Sequence, residues 1–374
     1  LPPEVVAYPE RHATARRLRN SRVYLPVHES ISPKAIERLT RRMLISRLEG
    51  WQLEVVDRTE WREMQGLCTQ VNMLQTWEYG EAKRSAGGWQ PKRFCVRDQN
   101  NKPVAIVQVL LKSLYGFGYV ARINRGPILL VGSVNPENRY ALICQAIALM
   151  RKNMWRQRWR LLTIAPEMLD TMQNRSVLKA MGFKKRKRMD NWISARLELT
   201  KEEKILQAEL KSKWRNMLRK SEKFQVKVTE KILESGHLEV LIKHYQKHQQ
   251  ERGYQGISEA LLRAMSERQS DNFRLCLFTC FAHSEERNHG ERLGQVVTVL
   301  SGDTATYLIG MVTQAGRTAQ ANSALLWHSI CYAKRKGYAW YDVGGLGEGD
   351  AADVSVFKRG LNAAEYKLVG EWWS

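Results

Sequence analysis

Arg93-Phe-Cys-Val-Arg97, the turn Asp98-Gln-Asn-Asn-Lys-Pro103 and Val104-Ala-Ile-Val-Gln-Val-Leu-Leu111 read as a strand, a polar connection and a second strand. The same pattern returns later. Arg274-Leu-Cys-Leu-Phe-Thr-Cys280 reads as a strand, a polar stretch follows, and Leu293-Gly-Gln-Val-Val-Thr-Val-Leu300 is its partner. Each pair is followed by a strand, near Tyr119 and near Tyr307, and then by an amphipathic helix, Ala141–Arg151 and Ser323–Lys334. Asn135-Pro136-Glu137 supplies a cap residue, a proline and a carboxylate in the order a helix start prefers. Each helix leads into a closing strand, Arg160–Ile164 and Trp340–Val343, and a helix upstream of each pair recurs near Thr76–Arg84 and Ser258–Arg268. The offsets are 181 (93 to 274), 182 (141 to 323) and 180 (160 to 340), too regular for coincidence. The order predicts a mixed α/β unit used twice, two similar domains facing each other across a cleft. The expected boundaries are a basic extension over 1–60, a first domain over 61–198 and a second over 199–374. The segment from about 346 to 374 is a candidate to return to the first domain.

The chain has 374 residues, 43% hydrophobic and 26% charged, the composition of a folded protein with a substantial core. Lys plus Arg total 60 against 38 Asp plus Glu, a net charge of +22. That excess points to a polyanion: nucleic acid, an anionic membrane surface or phosphorylated substrates. The six cysteines form no CxxC pair, so neither a zinc ribbon nor a disulfide framework is expected, and a reducing cytoplasm is the simpler reading. No apolar run approaches the ~20 residues of a spanning helix, and no signal peptide is visible, although the chain starts at Leu1 without Met. The phosphate loop GxxxxGK[ST], HExxH and GxSxG are all missing. Gly345-Leu-Gly347-Glu-Gly349 is only half of a dinucleotide fingerprint and lacks a long following helix. No metal or cofactor is expected.

Between Arg11 and Arg47 stand ten basic residues and two acidic ones, and Ser32-Pro33 opens a helix expected to run to about Leu48. It reads either as a solvated surface helix or as a contact to phosphates. Lys184-Lys185-Arg186-Lys187-Arg188 is a second basic run, readable as a solvated strand edge, a nucleic-acid contact or a targeting signal. After it, Glu202–Glu222 reads as one bridging helix, with Leu206, Leu210, Trp214 and Leu218 near helical spacing and Lys211, Lys213 and Arg215 on other faces.

Leu74-Gln-Thr-Trp77, Gly80-Glu-Ala-Lys83 and Gly88-Trp89 resemble the N-terminal signature of the FemABX aminoacyltransferases. Lys211-Ser-Lys-Trp-Arg-Asn-Met-Leu-Arg-Lys220 is similar to their inter-domain basic helix. Asn322–Lys336 with Gly337, Trp340-Tyr-Asp342-Val-Gly-Gly345, Val356-Phe357-Lys358-Arg-Gly360 and Glu371 resemble their C-terminal signature. The resemblance spans about residues 60–374. It implies two tandem domains of the GNAT acetyltransferase type and an activity that moves an amino acid from aminoacyl-tRNA to an amine. The usual acceptor is a cytoplasmic peptidoglycan precursor linked to UDP or to a lipid, and the inner face of the membrane is a further expected contact. With one bridging helix, the form without a paired-helix arm is expected.

An aminoacyl ester is already activated, so a neutral amine attacks it without a covalent enzyme intermediate, and no nucleophile motif is needed. The resemblance gives the oxyanion-stabilising role to Lys358 beside Phe357, on a segment expected to be extended. It gives Lys83 and Arg252 the acceptor phosphates, and places Trp77, Arg125, Tyr254, Tyr307 and Asn322 around the substrate. Lys184, Lys185, Arg186, Lys187, Arg188, Lys211, Lys213 and Arg215 are the expected tRNA contacts. After Arg125-Gly126-Pro127 the family often has an Asp, but here Ile128-Leu129-Leu130 follows. Either Asp342, Glu348 or Asp353 serves as the base, or the acceptor differs. An acyl-CoA-dependent N-acyltransferase of the same fold is the alternative. Its pyrophosphate turn, [QR]xxGx[GA], is approached only by Gln250-xx-Gly253 and Arg287-xx-Gly290. A non-catalytic nucleic-acid-binding protein fits the charge but shows no helix-turn-helix or RNP motif.

Overall fold

The structure is a computed structural model and describes residues 48–131, 139–186, 192–283, 290–347 and 352–374. Arg11–Arg47, Asn135–Glu137, Lys187, Arg188 and Glu348, all singled out by sequence, lie outside those residues.

The first sheet runs β1 (Gln52–Val55), β2 (Gln90–Arg97), β3 (Pro103–Ser113), β4 (Tyr119–Asn124), β6 (Trp159–Ala165), β15 (Trp372–Trp373) and β7 (Lys184–Lys185), and β5 (Ile128–Leu129) pairs with β3. The second runs β14 (Ala364–Lys367), β8 (Ile193–Glu198), β13 (Trp340–Asp342), β12 (Thr304–Val312), β11 (Arg292–Ser301), β10 (Phe273–Phe281) and β9 (Lys227–Ile232). In each sheet the hairpin strands pair antiparallel, and one parallel pair follows the crossover helix: β4 with β6 and β12 with β13. The repeated strands and helices expected from the offsets are present in both halves, and the fold is a tandem mixed α/β arrangement.

The domain limits differ from the sequence reading at two places. β1 belongs to the first sheet, paired with β2, so the first unit starts before residue 61. β8 belongs to the second sheet, between β13 and β14, so the second unit starts by Ile193, not at 199. Its Ser194 and Arg196 carry side chains that the second sheet needs at its buried end, as described below. At the other terminus β15 inserts between β6 and β7 of the first sheet. Glu371, 4% exposed, fixes this return by accepting from Arg122 Nη2 (2.6 Å) and Arg186 Nη1 (2.7 Å).

The helices are α1 (Arg58–Gly66), α2 (Trp77–Gly87), α3 (Arg139–Lys152), α4 (Met172–Ala180), α5 (Glu203–Glu209), α6 (Ser212–Lys223), α7 (Ser235–Arg252), α8 (Glu259–Ser266), α9 (Gln314–Thr318), α10 (Ala321–Arg335) and α11 (Ala352–Arg359). The crossover helices α3 and α10 supply the core under the first and second sheets through Ile143, Ile147 and Met150 and through Leu325, Leu326 and Ile330. The recurrent upstream helices α2 and α8 pack on each other. Tyr79 and Ala82 meet Leu262 and Met265 in an apolar cluster that also takes in Leu110, Phe273 and Val297, so the halves share a core.

The bridging segment is two helices, not one. Leu210 and Lys211 are extended (ψ 145° each), and the Lys211 amide bonds Gly360 O at 3.0 Å. Arg215 turns back onto Ala208 O (2.7 Å) and Leu210 O, closing the carbonyl end of α5 that the break exposes. Arg215 therefore has a structural task besides any contact with RNA.

Candidate active site

The end of β13 places Asp342, 4% exposed, at the meeting of the two sheets. Its Oδ1 accepts from Ser194 Oγ (2.6 Å) and the Gly344 amide (2.9 Å), and its Oδ2 from Tyr366 OH (2.5 Å), with Arg196 Nε at 3.5 Å. The chain then turns sharply. Gly344 has φ +71°, and a Cβ there would stand 2.7 Å from Tyr307 O, so this turn requires glycine. The turn presents Gly345 O to Lys358 Nζ at 3.1 Å.

Lys358 is 5% exposed. It lies in α11, not in an extended segment. Among the described side chains of α11, Ser355 and Lys358, three apart, are buried, while Val354 and Val356 face outward, and Ser355 Oγ bonds Gly347 O at 2.7 Å. Phe357 stacks on Trp214 (centroids 5.7 Å), which seats α11 against α6. Gly360 ends this contact, since a Cβ there would come within 2.4 Å of the Trp214 ring. The Lys358 ammonium sits 4.4 Å from the centroid of the Tyr307 ring. Burial lowers its pKa to about 8, and the Asp342 carboxylate partly offsets the loss. Among the described residues its one hydrogen bond is to Gly345 O, so two N–H directions remain for a ligand. Arg359, next in sequence, pairs with Glu365 at the surface (3.1 Å).

A second group abuts Asp342, and sequence reading found only one of its members. Arg125 (6% exposed) donates to both oxygens of Glu167, Nη2 to Oε1 at 2.8 Å, and to Tyr366 OH at 2.9 Å. Arg196 donates to Glu167 Oε1 as well and to Gln70 Oε1 at 2.9 Å. Burial acts to raise the Glu167 carboxyl, but the two guanidiniums outweigh it and hold the group below the usual carboxylate range. Arg125 and Glu167 belong to the first half, Arg196, Asp342 and Tyr366 to the second sheet, so this polar cluster ties the halves together. Asp342 has its lone pairs occupied within it, an arrangement that suits a positioning residue better than a free base. Ile128, Leu129 and Leu130, where an acid was sought, are buried against β3 and Cys68. Asp353 is exposed at the start of α11.

The remaining sequence candidates fall into separate groups. Lys83, half-buried on α2, has its pKa lowered by burial and then by the cations Arg122 and Lys112. Arg252 ends α7 beside Gly253 (φ +65°) and is exposed, near His248, whose ring meets Tyr254 OH at 3.1 Å. The position 181 residues after Lys83 is the buried Ala264 of α8. Trp77 is covered by the Arg93 guanidinium (3.6 Å to the ring centroid), which also bonds Trp77 O, and it packs, partly buried, against the apolar cluster of Val56, Trp61 and Cys68. Asn322 opens α10, partly exposed. Lys184 and Lys185 form the short edge strand β7, with Lys184 Nζ 5.2 Å from the Trp373 ring, and Lys211 and Lys213 are exposed at the start of α6.

Residues 207–367 match the family described as an acetyltransferase (GNAT) domain. The solved structure of FemX superposes with a TM-score of 0.70 over 86% of this chain and 96% of that chain, at 15% identity. The chain has the tandem GNAT fold of FemX. A conserved protein of unknown function from Bacteroides thetaiotaomicron matches with a TM-score of 0.50 at 8% identity, over 86% of this chain and 98% of that one. A tandem GNAT protein from the clavulanic acid biosynthesis pathway gives 0.49 at 11% identity, over 87% and 98%. A search of the curated proteins found no match. The resemblance to FemABX enzymes thus holds in fold, and the GNAT match makes the chain an acyltransferase. On this fold the matched domain contributes Asp342, Tyr307 and Lys358, and the first half contributes Arg125 and Glu167. No helix of the described residues is long and apolar enough to cross a membrane.

Proposed function

We propose that the chain transfers an aminoacyl group from aminoacyl-tRNA to an amine, with a cytoplasmic peptidoglycan precursor peptide or a related phosphorylated molecule as acceptor. The observation that carries this reading is Lys358: a buried ammonium with unfilled donor directions, held over an aromatic ring by a glycine turn at the junction of two acyltransferase-type units. A fixed cation there suits the oxyanion that forms when an amine attacks an activated ester. The six cysteines are buried, and burial raises their pKa, so none is suited to carry an acyl intermediate. Asp342 acts as a positioning residue that fixes the Gly344-Gly345 turn against which Lys358 bonds.

An acyl-CoA donor is the second reading, favoured by the GNAT description of residues 207–367. The connection between β12 and α10 weighs against it. Arg317-Thr-Ala-Gln320-Ala-Asn322 holds Gln320 in the left-handed region (φ +57°), where a pyrophosphate turn would use glycine, and Asn322 follows where it would have Gly or Ala. Incubation with a pool of charged tRNAs and, separately, with acetyl-CoA distinguishes the donors. RNase-sensitive transfer is expected, and RNase-resistant transfer from acetyl-CoA overturns the reading.

Binding of tRNA through Lys184–Arg186, Lys211 and Lys213 is governed by counterion release. Affinity is expected to fall by about 10³-fold or more between 50 and 200 mM salt if six or more phosphates are engaged. Affinity that barely changes over that range removes tRNA as the partner. For the acceptor, Lys83 is the better phosphate ligand, because burial and then Arg122 and Lys112 lower its pKa, and a bound anion would offset both. Lys83→Ala is expected to raise KM for a phosphorylated acceptor about ten-fold or more, and to leave a truncated acceptor without phosphate unaffected. Equal losses on both acceptors assign Lys83 a structural role.

A further inference from the structure

Two neighbouring loops of the first unit carry the most exposed aromatic side chains among the described residues. Leu114-Tyr115-Gly116-Phe117-Gly118 joins β3 to β4, and residues 153–158 join α3 to β6. They are fastened side by side: Arg158 Nη2 donates to Gly116 O (2.9 Å), Arg160 Nε to Phe117 O (2.6 Å) and the Tyr119 amide to Arg158 O (2.9 Å). Tyr115 is 98% exposed, Phe117 76% and Trp155 78%, the last with the Arg160 guanidinium 5.6 Å from its ring. Tyr115 also sits at φ +46°, an unfavourable backbone for a bulky residue, and its side chain gains almost no burial within the molecule in return.

The surroundings are of one sign. Residues 111–125 and 151–165 contain no Asp or Glu, while Lys112, Lys152, Arg156, Arg158 and Arg160 are exposed there. Protruding Trp, Tyr and Phe flanked by long cations match the headgroup region of an anionic bilayer. The rings enter the boundary of acyl chains and headgroups, and the cations remain at the phosphates. Aromatics that stack nucleic-acid bases lie instead on a sheet face or groove wall, which gives them a partly buried backing. We infer that the 114–118 and 153–158 loops form a docking surface for an anionic membrane. This surface does not depend on the transferase reading.

The test is co-sedimentation of the full chain with vesicles of phosphatidylcholine alone or with about 30% phosphatidylglycerol. Near a charged surface each cation contributes about five-fold in affinity, so partition into the anionic vesicles is expected to be at least about 100-fold stronger. Tyr115→Ser/Phe117→Ser/Trp155→Ser is expected to lower that binding at least about ten-fold with an unchanged melting temperature, since these rings support no core. Lys152→Gln/Arg156→Gln is expected to lower it about 25-fold on anionic vesicles and not on neutral ones. Equal partition into both vesicle types overturns the inference, as does an aromatic triple variant that binds like the parent. A triple variant that loses affinity for bulk transfer RNA but not for vesicles also overturns it, and makes the patch a nucleic-acid contact.

Discussion

Lys358→Met is expected to lower kcat by about 10²–10³-fold, the size seen when one oxyanion donor is removed. Affinity for tRNA should stay near normal, because the charge is felt in the transition state and hardly in the ground state. The melting temperature should not fall, since methionine fills the same buried space beside Tyr307 without an ammonium to desolvate. Arg359→Met is the control, as Arg359 reaches only Glu365 at the surface. The pH dependence separates an electrostatic from a basic role. An acceptor amine with a pKa of about 10.4 makes log(kcat/KM) rise with unit slope as the neutral fraction grows. If Lys358 must be charged, its loss of a proton at about 8 cancels that gain and the profile levels off above that pH. If Lys358 were the base, the slope would be steeper below about 8, not flatter above it. Lys358→Met should remove the break and leave a single rising line. A variant with full kcat, or a parental profile without the break, defeats the proposed role.

The duplication was legible because its strands are mostly apolar runs, broken only by Gln108 in one and by Gln295 and Thr298 in the other. Every residue from Val104 to Leu111 is buried, and so is every residue from Leu293 to Ser301, so composition alone marks them and the shared offset follows. The neighbourhood of Lys358 was harder. Val354-Ser-Val-Phe357 has the β-branched alternation of a strand, yet the face that α11 buries is Ser355 and Lys358, a polar pair three apart that leaves no apolar period to read. The helix is fixed by tertiary contacts, Phe357 on Trp214 and Lys358 on the glycine turn. The break at Leu210-Lys211 escaped for a similar reason. Leu206, Leu210, Trp214 and Leu218 keep near-helical spacing through it, and the break is held by tertiary contacts, the Lys211 amide on Gly360 O and Arg215 on Ala208 O and Leu210 O. Arg125 stood out beside Gly126-Pro127, but the groups it clusters with, Glu167, Arg196 and Tyr366, lie up to 241 residues away along the chain. Each alone is an ordinary charged or aromatic residue at a strand or at a strand end. The only local hint was that Glu167 follows the apolar run of β6.

That polar cluster is where a single substitution should cost the most stability. Glu167→Gln keeps the shape but leaves the buried guanidiniums of Arg125 and Arg196 with only the Asp342 carboxylate between them as counter-charge, a change worth about 3–5 kcal/mol when one partner of a buried pair is removed. The pH dependence follows from the direction of the Glu167 shift. Its carboxyl is held below the usual range in the folded chain, so its contribution is complete above the unfolded value of about 4.3 and is lost as pH falls through the folded value. Urea midpoints at pH 7 should therefore separate parent from variant widely, and the gap should narrow steadily in acid below about pH 4. Because Glu167 sits in the first half and Arg196 in the second, the loss should also reach the active site, through Arg196 and Tyr366 to Asp342 and the turn that bonds Lys358. The expected sign is a reduced kcat that Lys358→Met does not reduce by its full factor again, since both changes act on one ammonium. A Glu167→Gln chain as stable as the parent at pH 7, or a stability gap that persists unchanged in acid, would mean that the two guanidiniums are neutralised elsewhere and that this cluster does not couple the halves.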